Sequence, residues 1–191
     1  MPEGLSFEDF LRRVRAGDER AAADLVRLYE PTIRRVIRFR LTGSRLGTAL
    51  DSVDVCQSVL ASFFVRAASG EYDLSNPDDL VKLLVTMARN KLASQARRQQ
   101  AARRDHRRNQ AGALEEDRLP ADQPSPSQCV ANKELLQEVQ RRLTPQERQL
   151  VELRGQGLEW AEIAEQLGET PAALRKRLSR ALDRVSGELG L

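Results

Sequence analysis

Residues Leu158 to Leu182 read LEWAEIAEQLGETPAALRKRLSRAL, and this run decides the fold. Trp160, Ile163, Ala164 and Leu167 recur at helical spacing, which predicts a helix over about 160–167 with these residues inward. Gly168 follows, and glycine takes the left-handed backbone conformation of a sharp turn without a steric penalty. Thr170 can cap a second helix, and Pro171 suits its first position, where no backbone N–H is needed. Leu174, Leu178, Ala181 or Leu182, and Val185 face back to the core. The small Ala164 falls where the two helices cross, with glycine four residues later in the turn. This is a helix-turn-helix pattern. Thr170 and Ala172 open the second helix, which then exposes Arg175, Lys176, Ser179 and Arg180. A helix that enters the major groove needs small or basic side chains in its first turns, because bulky or acidic ones are penalised there. The plain alternative is an amphipathic hairpin with a solvated basic face. Capping, turn, small residue and charge polarity agree on DNA binding. Trp160 reads as a core residue.

Working outward, Thr144-Pro145-Gln146-Glu147 has the pattern of a capping box with proline at the first helical position. Leu150, Val151 and Leu153 give that helix a buried face, and Gly155 and Gly157 end it. Leu135, Leu136, Val139 and Leu143 form the helix before it. Further upstream, residues 109–130 (NQAGALEEDRLPADQPSPSQCV) change character, with Pro124, Pro126, serines and acids but little apolar content. They read as a linker between a domain at 1–108 and a domain at 131–191. In the first domain Phe7, Phe10, Leu11 and Val14 make one helix, stopped by Gly17. Asp18 caps the next, with Leu25, Leu28, Ile33, Val36 or Ile37, and Leu41 as its stripe; Pro31 predicts a kink or a boundary. Residues 42–51 read as a loop. Asp51 and Asp54 resemble a capping pair for a helix to about Ala68, with Val55, Val59 or Leu60, Phe63 and Ala67 inward. Asn76-Pro77-Asp78-Asp79 starts a helix whose Leu80, Leu83, Leu84, Met87 and Ala88 are spaced for burial, with no stop before Arg98. The expected fold class is all-α: two small helical domains joined by a flexible linker, the C-terminal one a helix-turn-helix.

Composition removes several function classes. The chain has 191 residues, 40% hydrophobic and 31% charged, so it can bury a core. No stretch approaches the roughly 20 apolar residues of a membrane span. The acidic start MPEGLSFEDF is not a secretory signal. Cys56 and Cys129 are 73 positions apart, which rules out a disulfide scaffold and a cysteine-based metal site. The single histidine, His106, makes histidine-centred catalysis or metal binding unexpected, and no phosphate-cradling G-x-x-x-x-G-K-[ST] loop exists. No cofactor, metal or catalytic residue is expected. A net charge of +3 conceals strong segregation: 1–112 is +6, 113–131 is −3, 132–170 is −3 and 171–191 is +3. Of the 31 basic residues 27 are arginines. Basic surfaces on either side of an acidic connector suggest a polyanionic partner.

With its N-terminal helices considered beside this run, the sequence resembles bacterial sigma factors of the extracytoplasmic-function (ECF) group. LTPQERQLVELRGQGLEWAEIAEQLGETPAALRKRLSRAL is similar to the family's C-terminal region, which recognises the −35 promoter element. DVCQSVLASFFVRAASG (54–70) and LLVTMARNKLASQARRQQ (83–100) are similar to its N-terminal region, which holds core polymerase and recognises the −10 element. The resemblance covers nearly the whole chain except the linker. It implies −35 contacts from Thr170, Ala172, Arg175, Lys176, Ser179 and Arg180. It implies docking of Asp54, Gln57 and Ser58 on the clamp of the largest polymerase subunit, although a solvated face with a capping Asp54 explains the same residues. Asn90, Ser94, Arg97 and Ala101 lie one above another, with Lys91 and Arg98 alongside; the resemblance implies that this face meets the −10 element. In the family the preceding loop, here 69–79, captures a flipped base, and Tyr72 is the aromatic candidate, with packing against the helix as its other fate.

Some positions depart from the family pattern. Leu83 stands where many relatives have tryptophan, Ser94 where they have aspartate, and Glu159 where serine or threonine is usual. These changes bear on promoter sequence rather than on fold. The cluster Arg97, Arg98, Arg103, Arg104, Arg107 and Arg108 reads either as phosphate contacts or as a solvated helix end, and His106 as polar filler within it. The acidic linker reads either as a segment threading the polymerase cleft or as a polar tether.

The implied function is a dissociable initiation subunit with no chemistry of its own, cytoplasmic, monomeric when free, its partners core RNA polymerase and promoter DNA. Two DNA-reading domains on one tether would raise each other's effective concentration. The rival is a conventional helix-turn-helix regulator that binds an operator as a dimer without polymerase. An enzyme built on paired acids is disfavoured because nearly all acids fall on exposed faces or caps. Promoter sequence, activating signal and the existence of an anti-sigma factor are not legible.

Overall fold

The computed structural model describes residues 6–41, 51–106 and 127–191, with the side chains of 99–106 and 127–133 left aside. Among the described residues there are eight helices and no strand. They are α1 (Phe7–Arg15), α2 (Glu19–Leu41), α3 (Ser52–Ala68), α4 (Pro77–His106), α5 (Ser127–Arg142), α6 (Pro145–Gly155), α7 (Trp160–Leu167) and α8 (Pro171–Glu188).

Local chemistry explains where the helices begin. Ser6 accepts the Asp9 N–H at 3.1 Å to start α1, and Asp18 accepts the Ala21 N–H at 3.0 Å to start α2. Asp51 caps α3 through the Val53 N–H at 2.8 Å, and Asn76 accepts the Asp79 N–H at 2.9 Å ahead of α4. The capping box at α6 is complete: Thr144 Oγ1 accepts the Glu147 N–H, and the Glu147 carboxylate accepts the Thr144 N–H.

Of the two outcomes expected at Pro31, the boundary is not seen: α2 runs without a break from Glu19 to Leu41. Ala21, Leu25, Tyr29, Ile33, Ile37 and Leu41 are buried at four-residue steps on both sides of the proline. That continuous stripe ties both halves to one core, while Pro31 is on the exposed side, where water can reach the carbonyl that loses its donor. The stripe is also cleaner than the sequence suggested, because Leu28 is exposed and Val36 only half-buried.

Two apolar cores result. The first gathers α1 to α4 around Phe10, Leu25, Ile33, Ile37, Phe63, Leu80 and Leu84. The second gathers α5 to α8 around Leu150, Trp160, Ile163, Leu174, Leu178, Leu182 and Val185. Burying one such side chain stabilises by roughly 1.5–3 kcal/mol relative to exposure. Val65 of α3 breaks the division: it is buried in the second core, not the first. The two helical sets therefore pack directly on each other. The region read as linker begins after α4, but 127–130 at its end already belong to α5. The remainder of that region and the loop read at 42–50 lie outside the described residues.

Candidate nucleic-acid interfaces

α7 and α8 form the helix-turn-helix. Gly168 closes α7 in the left-handed conformation (φ 67°), as the turn requires. Thr170 then accepts the Ala173 N–H at 3.2 Å, and Pro171 opens α8. At Glu159 the family's usual serine or threonine is missing, yet half of the capping arrangement persists: the Glu162 carboxylate accepts the Glu159 N–H at 2.7 Å. Leu174, Leu178, Ala181, Leu182 and Val185 bury the inner face of α8.

The outer face carries the expected residues. Thr170, Ala172, Arg175, Lys176 and Arg180 are exposed, and Ser179 is half-buried. Among the described residues Lys176 and Arg180 form no ion pair, so their charge is open to an anion. Arg177 and Arg184 join them along a shallow concavity that also includes Ala173, Ala181 and Glu147. These two arginines were not in the sequence-based set. Arg177 makes a bidentate pair with Glu169 at 2.6 and 2.8 Å, bracing the turn against α8. Arg184 pairs with Glu147 at 2.9 Å, which ties α8 to the start of α6. Arg175 behaves differently from Lys176 and Arg180. Its guanidinium lies 5.9 Å from the centre of the Trp160 ring and 3.6 Å from Asp73, a residue of the loop between α3 and α4.

On α4, Asn90, Arg97 and Arg98 are exposed, while Lys91 and Ser94 are half-buried. Burial lowers the Lys91 pKa, and the nearby Arg98 charge lowers it further. Ala101 and the arginines and histidine of 103–108 lie outside the described side chains.

On α3, Asp54 is exposed, and Gln57 and Ser58 are half-buried. Ser58 Oγ is shielded from solvent and has no hydrogen-bond partner among the described residues. Arg66, read as part of the same polar face, is also not free: its side chain is 13% exposed and pairs with Glu71 at 2.8 Å and with Asp183 of α8 at 2.6 Å.

Tyr72 takes the packing fate. Its ring stacks on Phe63 with centroids 6.1 Å apart, and its hydroxyl reaches the Met87 sulfur at 3.7 Å. Burial pushes the phenol pKa up, and the Glu71 carboxylate adds to the effect. One face of this ring is already taken by Phe63.

The residue that sequence reasoning missed most completely is Arg154. Its side chain, 5% exposed, donates to the Gly70 carbonyl at 3.0 Å, to the Leu158 carbonyl at 2.8 Å and to Asp73 at 2.5 Å. Its guanidinium also lies 4.9 Å from the centre of the Trp160 ring. The only sequence signal is a charged residue at the end of an amphipathic helix, which is ordinarily solvated.

No helix among the described residues is long and apolar enough to cross a membrane, and no group of three or more His, Cys, Asp or Glu is placed to hold a metal. An all-helical chain with a helix-turn-helix, a basic outer face on α8 and a second basic face on α4 defines a class: a DNA-binding protein of two helical units. A family model described as ECF sigma factor matches residues 5–189, nearly the full length. The chain belongs to the ECF sigma factor family, whose members act with core RNA polymerase in transcription initiation. Comparison with curated proteins and with solved structures finds no match.

Proposed function

We propose that this sigma factor directs core polymerase to promoters by reading two elements with two surfaces. The outer face of α8, with Thr170, Ala172, Arg175, Lys176, Ser179 and Arg180, reads the −35 element. The α4 face, with Asn90, Lys91, Ser94, Arg97 and Arg98, meets the −10 element. Asp54, Gln57 and Ser58 of α3 face the clamp of the largest polymerase subunit. Holding both DNA contacts on one enzyme raises the effective concentration of the second. The protein performs no bond chemistry, needs no cofactor and works in the cytoplasm, where polymerase and promoter are.

The observation that carries this reading is that Lys176 and Arg180, without an ion pair among the described residues, stand beside small side chains at the start of a capped recognition helix. Within a chain of this family, such a helix has promoter DNA as its natural partner. Base capture is assigned to no aromatic of the 69–79 loop, since Tyr72 is committed to Phe63.

The test is size-exclusion of the full chain with core polymerase, followed by run-off transcription. Co-elution with core, and initiation that Lys176→Ala/Arg180→Ala and Arg97→Ala/Arg98→Ala each weaken, is expected. An unaltered elution position, or DNA-dependent dimerisation without polymerase, would support the conventional regulator instead.

A further inference from the structure

Phe39, near the end of α2, is an aromatic ring left in water. Of the eight aromatic side chains the other seven are buried or half-buried, whereas Phe39 is 79% exposed. Its place in the helix explains the exposure. Ile37 and Leu41 turn into the first core, and a residue midway between them falls on the opposite side of a helix with 3.6 residues per turn. Arg35 lies about one turn before Phe39 on the same face, and Arg38 and Arg40 flank it. All three are exposed, and Arg35 and Arg40 form no ion pair among the described residues. From residue 31 to residue 50 the sequence has five arginines and no acid, so the stretch holds no charge of its own to neutralise them.

We infer that Phe39, with Arg35, Arg38 and Arg40, is a stacking platform for an unpaired base of the opened promoter strand. The inference rests on the reading of this chain as a subunit that directs polymerase to promoters. Charge and shape select this occupant. A ring held among cations offers a base its face and offers the flanking phosphates their counter-charge. Duplex DNA does not fit the ring, because paired bases stack on one another and present no free face. A protein helix fits it poorly. Leu28, the other exposed large hydrophobic, is three turns earlier, about 16 Å along the axis, too far to form one apolar patch with Phe39. α2 packs against α4, which carries the face assigned to the −10 element, so both surfaces belong to one helical unit. A platform that binds only unpaired bases favours the melted state over the duplex and draws the equilibrium towards it. It accepts any base, since every base has a π-face. It also needs nothing from Tyr72, whose ring already has Phe63 against it.

The test uses holoenzyme of the full chain and a promoter on which the wild type initiates, prepared with its non-template strand unpaired around the start-proximal element. Single abasic sites are moved along that strand, and binding is titrated for the wild type, Phe39→Ala and Phe39→Trp. Because Phe39 is exposed, Phe39→Ala should melt at the wild-type temperature and co-elute with core polymerase as the wild type does. It is expected to bind the opened promoter at least about fivefold more weakly, the lower bound for loss of one base–aromatic stack. One abasic position should cost the wild type the same factor and cost Phe39→Ala nothing further. Phe39→Trp should restore both the affinity and the sensitivity to that position. Equal binding by the wild type and Phe39→Ala would overturn the platform, as would a loss in Phe39→Ala that no abasic position shares. Weaker co-elution of Phe39→Ala with core in the absence of DNA would overturn it too, by making Phe39 a polymerase contact. Absence of any promoter on which the wild type initiates would instead overturn the functional reading, and the platform with it.

Discussion

Cys56 shows how burial alone decides the behaviour of a side chain. It is 1% exposed within the first core, and that burial pushes its thiol up to about 12, with the Glu30 charge acting in the same direction. In a Cys129→Ser chain, Cys56 is expected to resist iodoacetamide at pH 8 and to react fully once urea unfolds the protein. Stoichiometric labelling of the native chain would contradict this. Asp18 makes the opposite case. The Ala21 N–H, followed by the Arg13 side chain, holds its carboxyl below the usual carboxylate range. A depressed folded value means that the stabilisation is present above the unfolded pKa of about 4 and is lost as pH falls through the folded one. Asp18→Asn should therefore flatten the acid limb of the stability–pH curve, measured by denaturant melts between about pH 2 and 5, while an unchanged limb would remove Asp18 from the account. At this scale the sequence was legible wherever chemistry is local. Thr144, Asn76 and Asp51 announce their caps because the partner N–H groups are two or three residues away. Arg154 announces nothing, because Gly70 reaches it only through the fold, and Tyr72 leaves two fates open until Phe63 is seen against its ring.

Among the elements, α8 carries the most function. Its inner face was readable from the spacing of Leu174, Leu178 and Val185, and its outer face follows by exclusion. Lys176 and Arg180 are exposed and lack ion pairs among the described residues, so replacing both with alanine should leave thermal stability nearly unchanged. Each phosphate contact contributes about 0.9 to the slope of log affinity against log salt. The double variant in holoenzyme is therefore expected to reduce that slope by about 2 when binding to promoter DNA is titrated across salt concentrations. An unaltered slope would place DNA elsewhere. On α2 the boundary offered at Pro31 gives way to a stripe of six buried residues that holds the helix together. On α3, Ser58 and Arg66 lie on the polar side by sequence, while in the fold Ser58 Oγ is shielded and Arg66 is taken up by Glu71 and Asp183.

For the whole molecule, charge segregation along the chain foreshadowed basic surface in both halves, and α2, α4 and α8 all expose basic side chains. The packing of the two helical units on each other was not legible. It depends on pairs such as Arg154 with Gly70, 84 positions apart, and Arg66 with Asp183, 117 apart, each of which has an ordinary local reading. A tether suggests independent units, but apolar area at Val65 and three arginines, Arg66, Arg154 and Arg175, bring them together. The central claim is that this chain selects start sites for core polymerase. It is tested most directly by sequencing the 5′ ends of transcripts made from a random promoter library by core polymerase, with and without the protein. The account predicts protein-dependent starts that share one upstream and one start-proximal sequence at fixed spacing. Start sites that are the same with and without the protein would contradict it.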